Sequence, residues 1–368
     1  MPKVRGDVGG GGSGWLRAWG HPVETAGNGP DDWERNVTEA YLRAADERID
    51  WVKSIPFWLI HLAPLLVFWT GVRPIDVALC IGLYYLRMFF LTTTYHRYLA
   101  HRAFKMGRVM QFLMAAGGTL CAQKGPLWWA GHHRHHHRYS DRPEDIHSPK
   151  RGFLWSHMGW FLCNKYDETP FEAIKDFAKY PELRWLDRYH LVPPALLALA
   201  VYAIGGASAL VVGFFLSTVL LYHGTFFINS LAHVFGRRRY ATTDTSRNSF
   251  LLSLLTLGEG WHNNHHYYQS TANQGFFWWE LDPSYYVLRV MSWLGLVRDL
   301  RTPPAHVLAA NRIADGHRDV GLLGDLPARA ADAASRAVDA AGRAVDAARK
   351  AARDASPNPV PSPAVERD

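Results

Sequence analysis

Apolar residues along this chain gather into long blocks separated by polar, basic and histidine-rich stretches. Blocks at about 55–72 and 74–94 are each close to the ~20 residues that cross ~30 Å of hydrocarbon, and Arg73-Pro74 between them leaves room only for a hairpin turn. A second pair, about 191–204 and 209–228, is joined by the uncharged Gly205, Gly206, Ala207 and Ser208. Arg87 interrupts the second block, so its side chain should face protein or water instead of lipid. Shorter apolar pieces at 109–122, 153–163 and 250–257 read as re-entrant or interfacial helices. Upstream, Trp33, Val37, Tyr41 and Ala45 recur at i+4 behind Pro30-Asp31, which predicts an amphipathic helix over 31–54 lying on the bilayer surface. Trp278, Trp279, Tyr285, Tyr286 and Trp293 read as an interfacial aromatic belt. The pattern predicts an all-α integral membrane protein: four transmembrane helices in two hairpins, within a domain spanning 55–300, with a helical cap.

The flanks differ in kind. Residues 1–30 hold a glycine tract, Gly9 to Gly12, and no apolar run that would make a cleaved signal. Residues 301–326 read as a linker. Residues 327–356 form an Ala-rich charged helix with Arg336, Arg343 and Lys350 in heptad register, and a Pro-rich tail follows at 357–368. These tails dilute the mean hydropathy to -0.15, although 48% of the 368 residues are hydrophobic, which excludes a disordered chain. The net charge of +7 comes from basic residues flanking the apolar blocks instead of gathering on one soluble face, so nucleic acid is not the expected partner. Lys and Arg crowd the N-terminus, the central loop and the C-terminal part, and are sparse in the hairpin turns. By the positive-inside bias, the common side, with both termini, is cytoplasmic.

Chemistry enters with 19 histidines against three cysteines. Cys80, Cys121 and Cys163 form no CxxC pair, so neither a disulfide framework nor a thiolate metal site is supported, and a metal centre here must be built from nitrogen. Four constellations all fall on the predicted cytoplasmic side: His96 to His101, His133 to His137, Asn229 to His233, and His262 to His266. In an HxxHH box, positions i, i+3 and i+4 share one helical face, so three imidazoles are expected to converge on a metal. His132 and His135 fall off that pattern and are left out. Isolated histidines such as His61, His190 and His223 read as packed structural residues. Eight box histidines and His233 exceed the needs of one tetrahedral zinc and suit two irons with positions open to oxygen. No carboxylate sits at box spacing, which sets the pattern apart from Glu-x-x-His di-iron bundles.

Five stretches carry a resemblance: Tyr95 to Arg102, Trp129 to Ser140, Gly152 to Trp160, Asn229 to His233, and Gly258 to His266. In order and spacing they resemble the membrane-bound fatty acyl desaturases, specifically the stearoyl-CoA delta-9 type, over about residues 55–300. The resemblance implies iron ligation by His96, His101, His133, His136, His137, His233, His262, His265 and His266, with Asn229 holding a metal-bound water. It implies an enzyme that uses O2 and two external electrons to remove two hydrogens from an acyl methylene pair, with the di-iron centre as the catalyst and no separate protein acid or base. Acyl-CoA is the favoured carrier, and acyl-lipid the alternative. One departure bears on this. The acyl-CoA branch typically carries Arg-Asp just before the second box, where this chain has Gly131-His132.

A cationic cytoplasmic rim, Arg97, Arg102, Lys105 and Arg134 foremost, suits a phosphate-bearing head group. The chain lacks the His-Pro-Gly-Gly signature of a fused cytochrome b5, so a separate ferredoxin or cytochrome b5 with its reductase is the expected electron donor. Two rivals make different predictions. A histidine-box hydroxylase would leave hydroxy-acids without new olefins. A His-rich membrane metal transporter would place its ligands mid-span instead of at helix ends and loops.

Overall fold

The computed structural model describes residues 44–313. The expectations for the 1–30 tail, most of the 31–54 helix, the Ala-rich helix and the Pro-rich tail lie outside the described residues. What is described is predominantly helical, with one short antiparallel ribbon pairing Lys105–Met106 with Val297–Arg298.

Two helices are long and apolar enough to cross a membrane, Pro74–Ala100 and Val192–Val234. The first starts where Pro74 and the Asp76 side chain cap it: Asp76 accepts from the Arg73 backbone N–H at 2.9 Å and from its guanidinium. It continues past the expected end at 94, through a π-helical stretch Leu91–Ala100 that carries the first histidines. The second long element breaks at Gly206, whose φ of +72° and ψ of -164° suit only glycine. Beyond the break the chain folds back, and Ala209 and Phe214 pack on Val201 and Leu83. The first apolar block makes a shorter helix, Ile55–Thr70, tightened to 3-10 geometry over Ala63–Leu66, where Pro64 lacks a donor. Leu59, Phe68, Trp69, Ile75, Ile81, Leu199 and Ile204 point outward and exposed, an apolar surface that suits lipid and not water.

Arg87 is fully buried, as a charge within an apolar span must be. Its guanidinium donates to Ser217 Oγ at 2.6 Å, Thr218 Oγ1 at 2.7 Å and the carbonyls of Leu83 and Leu120. The shorter apolar pieces appear as Arg108–Thr119, a π turn Trp155–Gly159 followed by a 3-10 turn Trp160–Leu162, and Phe250–Leu255. Trp278 and Trp293 stand exposed near helix Pro283–Trp293.

Two expectations are corrected. Residues 44–54 do not continue an amphipathic helix. Asp50 Oδ1 instead accepts from the N–H groups of Val52 and Lys53 in a turn, Ile49 bridges to Cys163, and Glu47 is buried against Arg151 and Tyr166. An acidic residue with two such partners is held more firmly there than on a lipid surface. Residues 301–313, expected as free linker, dock: Ala305–Ala309 is helical, and the Tyr267 hydroxyl donates to the carbonyls of Val307 and Ala310.

Candidate metal centre

Four segments deliver the histidines. In the first, His96 and His101 are five residues apart, which on an α-helix would splay them by about 140°. The π-helical turn removes the splay: its hydrogen bonds run i to i+5, the His101 N–H bonds the His96 carbonyl at 3.2 Å, and the two ring centroids lie 4.8 Å apart. In the second, helix Pro126–Tyr139 starts against Asp187, whose Oδ1 accepts from the N–H groups of Leu127 and Trp128 at 2.9 Å. The third segment, Leu231–Val234, follows the end of helix Ser217–Asn229 at Ser230 and carries His233. The fourth, His262–Tyr267, is anchored by its asparagines. Asn248 Oδ1 accepts from the N–H groups of Asn263 and Asn264, and Asn263 Oδ1 accepts from those of Arg239 and Tyr240.

The nine histidines named from sequence gather into two groups, each with its donor atoms within 4.8 Å of one another. Five meet in one: His96, His101, His133, His137 and His265. Four meet in the other: His136, His233, His262 and His266. The expectation that each HxxHH box converges on one metal is corrected. Residues i and i+4 are offset by only about 40° on a helix and share a group, while i+3 turns away to the other. Thus His133 and His137 join one group and His136 the second, and His262 and His266 join the second while His265 joins the first. Each box therefore bridges both groups. His132 and His135 join neither; they bond the carbonyls of Glu168 and Glu144.

Carboxylates stand behind four of the rings. Glu259 faces His96 Nδ1, Asp145 accepts from His136 Nδ1 at 3.0 Å, Asp141 from His233 Nδ1 at 3.1 Å, and Asp244 from His266 Nδ1 at 2.7 Å. With the proton held at Nδ1, the Nε2 lone pair is free to point inward. Around the groups, Nε2 atoms approach closely: His96 to His265 at 2.9 Å, His137 to His133 and to His265 at 2.9 Å, and His262 to His233 at 3.0 Å. Burial and neighbouring imidazoles hold His101, His133, His137, His262 and His265 well below the usual histidine range, so these rings are neutral donors. His266 Nε2 is buried without a partner while its Nδ1 engages Asp244. Inward lone pairs at such spacing repel unless cations lie between them, so the donor sets fit two first-row transition metals. The carboxylates are ionised: burial resists this for Asp141, but hydrogen bonds from His233, Thr245 and Ser148 outweigh it and lower its pKa.

A cavity of about 270 Å³ reaches this centre, ending against His133, Trp129 and Asn229. Its wall includes the aromatic rings of Phe57, Trp160, Tyr222 and Phe226, and Gln123 donates to Thr225 Oγ1 at 3.0 Å within it. A smaller void of about 30 Å³ shares Trp129, His133, Thr225 and Asn229 and continues past His96 to Met88 and Leu91.

Among the expected head-group residues, Arg97 is corrected. It is 1% exposed, and its donors are taken by Glu259, Asp282 and the Ala272 carbonyl, so it holds the carboxylate behind His96 and meets no substrate head. Arg134 is likewise engaged, with Asp176 and the carbonyls of Leu99, Ala100 and Ala173, and braces the end of the first box. Arg102 and Lys105 are exposed, near Asp176 at 3.6 Å and Asp299 at 2.8 Å. The four carboxylates were absent from the candidate set. Asp141 and Asp145 follow the second box within eight residues of His137, and Glu259 precedes His262 by three, so only their proximity signalled them.

Apolar helices of membrane-crossing length, two polyhistidine groups and an apolar cavity ending on one of them at His133 define a class of membrane-associated protein built to hold metals beside an apolar substrate. The family model for fatty acid desaturase matches residues 73–292. Relatives include the sn-2 palmitoyl-lipid 9-desaturase of Nostoc sp. (strain 36), 34% identical over 71% of this chain and 94% of the relative. Delta-9 acyl-lipid desaturase 1 of Arabidopsis thaliana is 37% identical over 70% of this chain and 85% of its own length. Acyl-CoA 5-desaturase AL21 of Anemone leveillei is 36% identical over 59% and 68% respectively. The chain belongs to the fatty acid desaturase family and is an oxidoreductase, a fatty acyl desaturase.

Proposed function

We propose that the chain introduces a cis double bond, at the delta-9 position, into a saturated acyl chain by means of two irons held by the nine histidines, with Asn229 holding a metal-bound water. The observation that carries this reading is the gathering of nine imidazoles into groups of five and four, with an apolar cavity ending on His133 of the five-histidine group. Bound there, the two irons would supply the activation of O2 needed to take hydrogen from an unactivated methylene. The protein's own part is positional. The aromatic wall excludes water from the acyl chain, and Trp129, Thr225 and Asn229 present one carbon pair to His133 and its neighbours. The four carboxylates keep Nδ1 protonated and Nε2 directed at the metals. Two electrons come from a separate ferredoxin or cytochrome b5 with its reductase.

The bundle reads as four spans, with the break at Gly206 as the tip of the second hairpin and both termini and the histidine groups cytoplasmic, which the distribution of Lys and Arg supports. For the carrier, the motif resemblance to the stearoyl-CoA type favours acyl-CoA, whereas two of the three relatives named above are lipid desaturases. A membrane lipid is the second reading, favoured also by one structural observation: a Cβ at Gly131 would lie 2.8 Å from Pro170 Cγ, and His132 is buried beside Trp128 and Trp160. A side chain at Gly131 would press on the Pro170 ring, so an arginine there needs the proline to move. Arg102 and Lys105 remain the candidate head-group contacts of the original set.

Metal analysis of the purified full chain tests the centre. Two irons per chain are expected; a single zinc with no iron would contradict the proposal and support the transporter alternative.

A further inference from the structure

Outside the two histidine groups lies another pair of imidazoles, from different parts of the chain. His157, on the π turn Trp155–Gly159, is 5% exposed, and its ring lies nearly parallel to that of His223 and edge to edge with it, with centroids 5.2 Å apart. Its Nε2 lies 2.9 Å from His223 Nδ1, and its Nδ1 lies 3.0 Å from Ser230 Oγ. Ser230 Oγ donates to the Phe226 carbonyl at 3.0 Å, so the serine oxygen accepts from His157 Nδ1–H, and His157 Nε2 accepts from His223 Nδ1–H. The proton positions of all four groups follow from that one donor.

His223 and Ser230 are seven residues apart on one helix, two turns on the same face. His157 therefore staples the last two turns of helix Ser217–Asn229 up to the point where it ends. Ser230 there has φ of -106° and ψ of -65°, and the next four residues, Leu231–Val234, start a separate turn that carries His233. The neighbour of His157 acts on the same spot: Ser156 Oγ donates to the Asn229 carbonyl at 2.8 Å. Consecutive side chains on an α-helix diverge by about 100°, and the wider π turn lets both reach one helix end. Asn229 and His233 are thus held in place from outside the centre.

We propose that His157 is a positioning residue for the four-histidine group: by fixing where the helix ends, it sets His233, while no member of the five-histidine group lies on that helix or on the turn that follows it. This rests on reading the two groups as metal sites. It acts through hydrogen-bonding geometry, and no acid or base step is assigned to it.

The test uses the full-length protein in detergent, with iron per chain and the Mössbauer spectrum measured for wild type, His157→Phe, His157→Gln and, as a reference for an emptied four-histidine site, His233→Ala. His157→Phe keeps an aromatic ring in the site and removes both nitrogens. The expected result is a fall in affinity at one site of about 10–100-fold, the usual effect of losing a residue behind a ligand, with iron dropping toward the His233→Ala level and a matching spectrum. His157→Gln, which can donate and accept, should recover part of the loss. Wild-type iron content and spectrum in His157→Phe, or equal loss from both sites, would overturn the proposal. If His157→Phe does not fold, His223→Phe severs the other end of the staple and is judged by the same two results. A wild-type chain without iron would instead overturn the underlying reading, before any variant is compared.

Discussion

Arg97 secures the carboxylate that orients its own neighbour in sequence: its Nε and Nη2 each lie 3.1 Å from Glu259 Oε1, and Glu259 Oε2 faces His96 Nδ1. Nη1 of the same guanidinium donates to Asp282 at 2.9 Å, and Asp282 accepts from the Gln274 N–H at 2.7 Å, while Gln274 Nε2 donates to Glu259 at 2.9 Å. A single buried cation thus holds two buried acids and, through them, one ring of the five-histidine group. Arg97→Ala leaves both acids uncompensated, at a cost of roughly 3–5 kcal/mol. Arg97→Lys retains the charge and loses the planar fork, so it should fold better and still bind metal about 10–100-fold more weakly. Thermal melts and iron content of the two variants check this, and a Lys variant with full iron would count against the role given to the fork.

Gly260 is enclosed by backbone. A Cβ there would lie 2.0 Å from Ser253 N and 2.4 Å from Ser249 O. Neither atom can move without disturbing the Ser249 N–H bond to the Gly260 carbonyl at 2.8 Å, which sets the approach to His262. Gly260→Ala is expected to cost about 1–3 kcal/mol and to reduce metal content along with stability. Unchanged melting and iron in this variant would show that the approach is more plastic than its packing implies.

Thr225 tests the cavity separately from the metals, because it lines the cavity while its hydroxyl bonds Gln123 and the Leu221 carbonyl and not a histidine of either group. Thr225→Leu removes the acceptor of Gln123 and fills space beside Trp129 and Asn229. Iron content should be unchanged while turnover falls up to about 100-fold, the scale of a misplaced reacting carbon. Loss of iron in this variant would mean that the cavity and the centre are not separable.

Much of this centre was legible in sequence, for a physical reason: imidazoles brought together by helical spacing leave a periodic trace. The eight box histidines and His233 all fall in the two groups, and His147, which sits against His136 and Asp145, lies outside any box spacing. The division into two groups was not legible, because the sharing rule depends on two helices facing each other, so that i+3 of one meets i and i+4 of the other. His96 and His101 would have been placed on different faces by α-helical geometry; only the π turn aligns them. Asp244 lies 22 residues from His266, and Asp141 lies 92 from His233, so no local pattern joins them. Arg97 reads from sequence as a head-group contact because a basic residue at the cytoplasmic end of a span suits a phosphate, while its acids come from more than 160 residues away.

Metal binding should also stabilise the folded chain, since inward-facing lone pairs are unfavourable in its absence. At a hundredfold excess over the dissociation constant, one site adds about 2.7 kcal/mol. Chelation in detergent is therefore expected to lower the melting temperature, with recovery on adding ferrous iron. A chelated protein that melts as the loaded one does would indicate that the groups are not occupied.

The most direct test of the central claim is the acyl composition of membranes from cells that express the full chain, with double-bond positions located by mass spectrometry and His265→Ala as the control. The account predicts a new O2-dependent cis-monounsaturated acyl chain, at delta-9, that is absent from the control. Hydroxylated acyl chains without new olefins, or the same olefin in the His265→Ala cells, would contradict it.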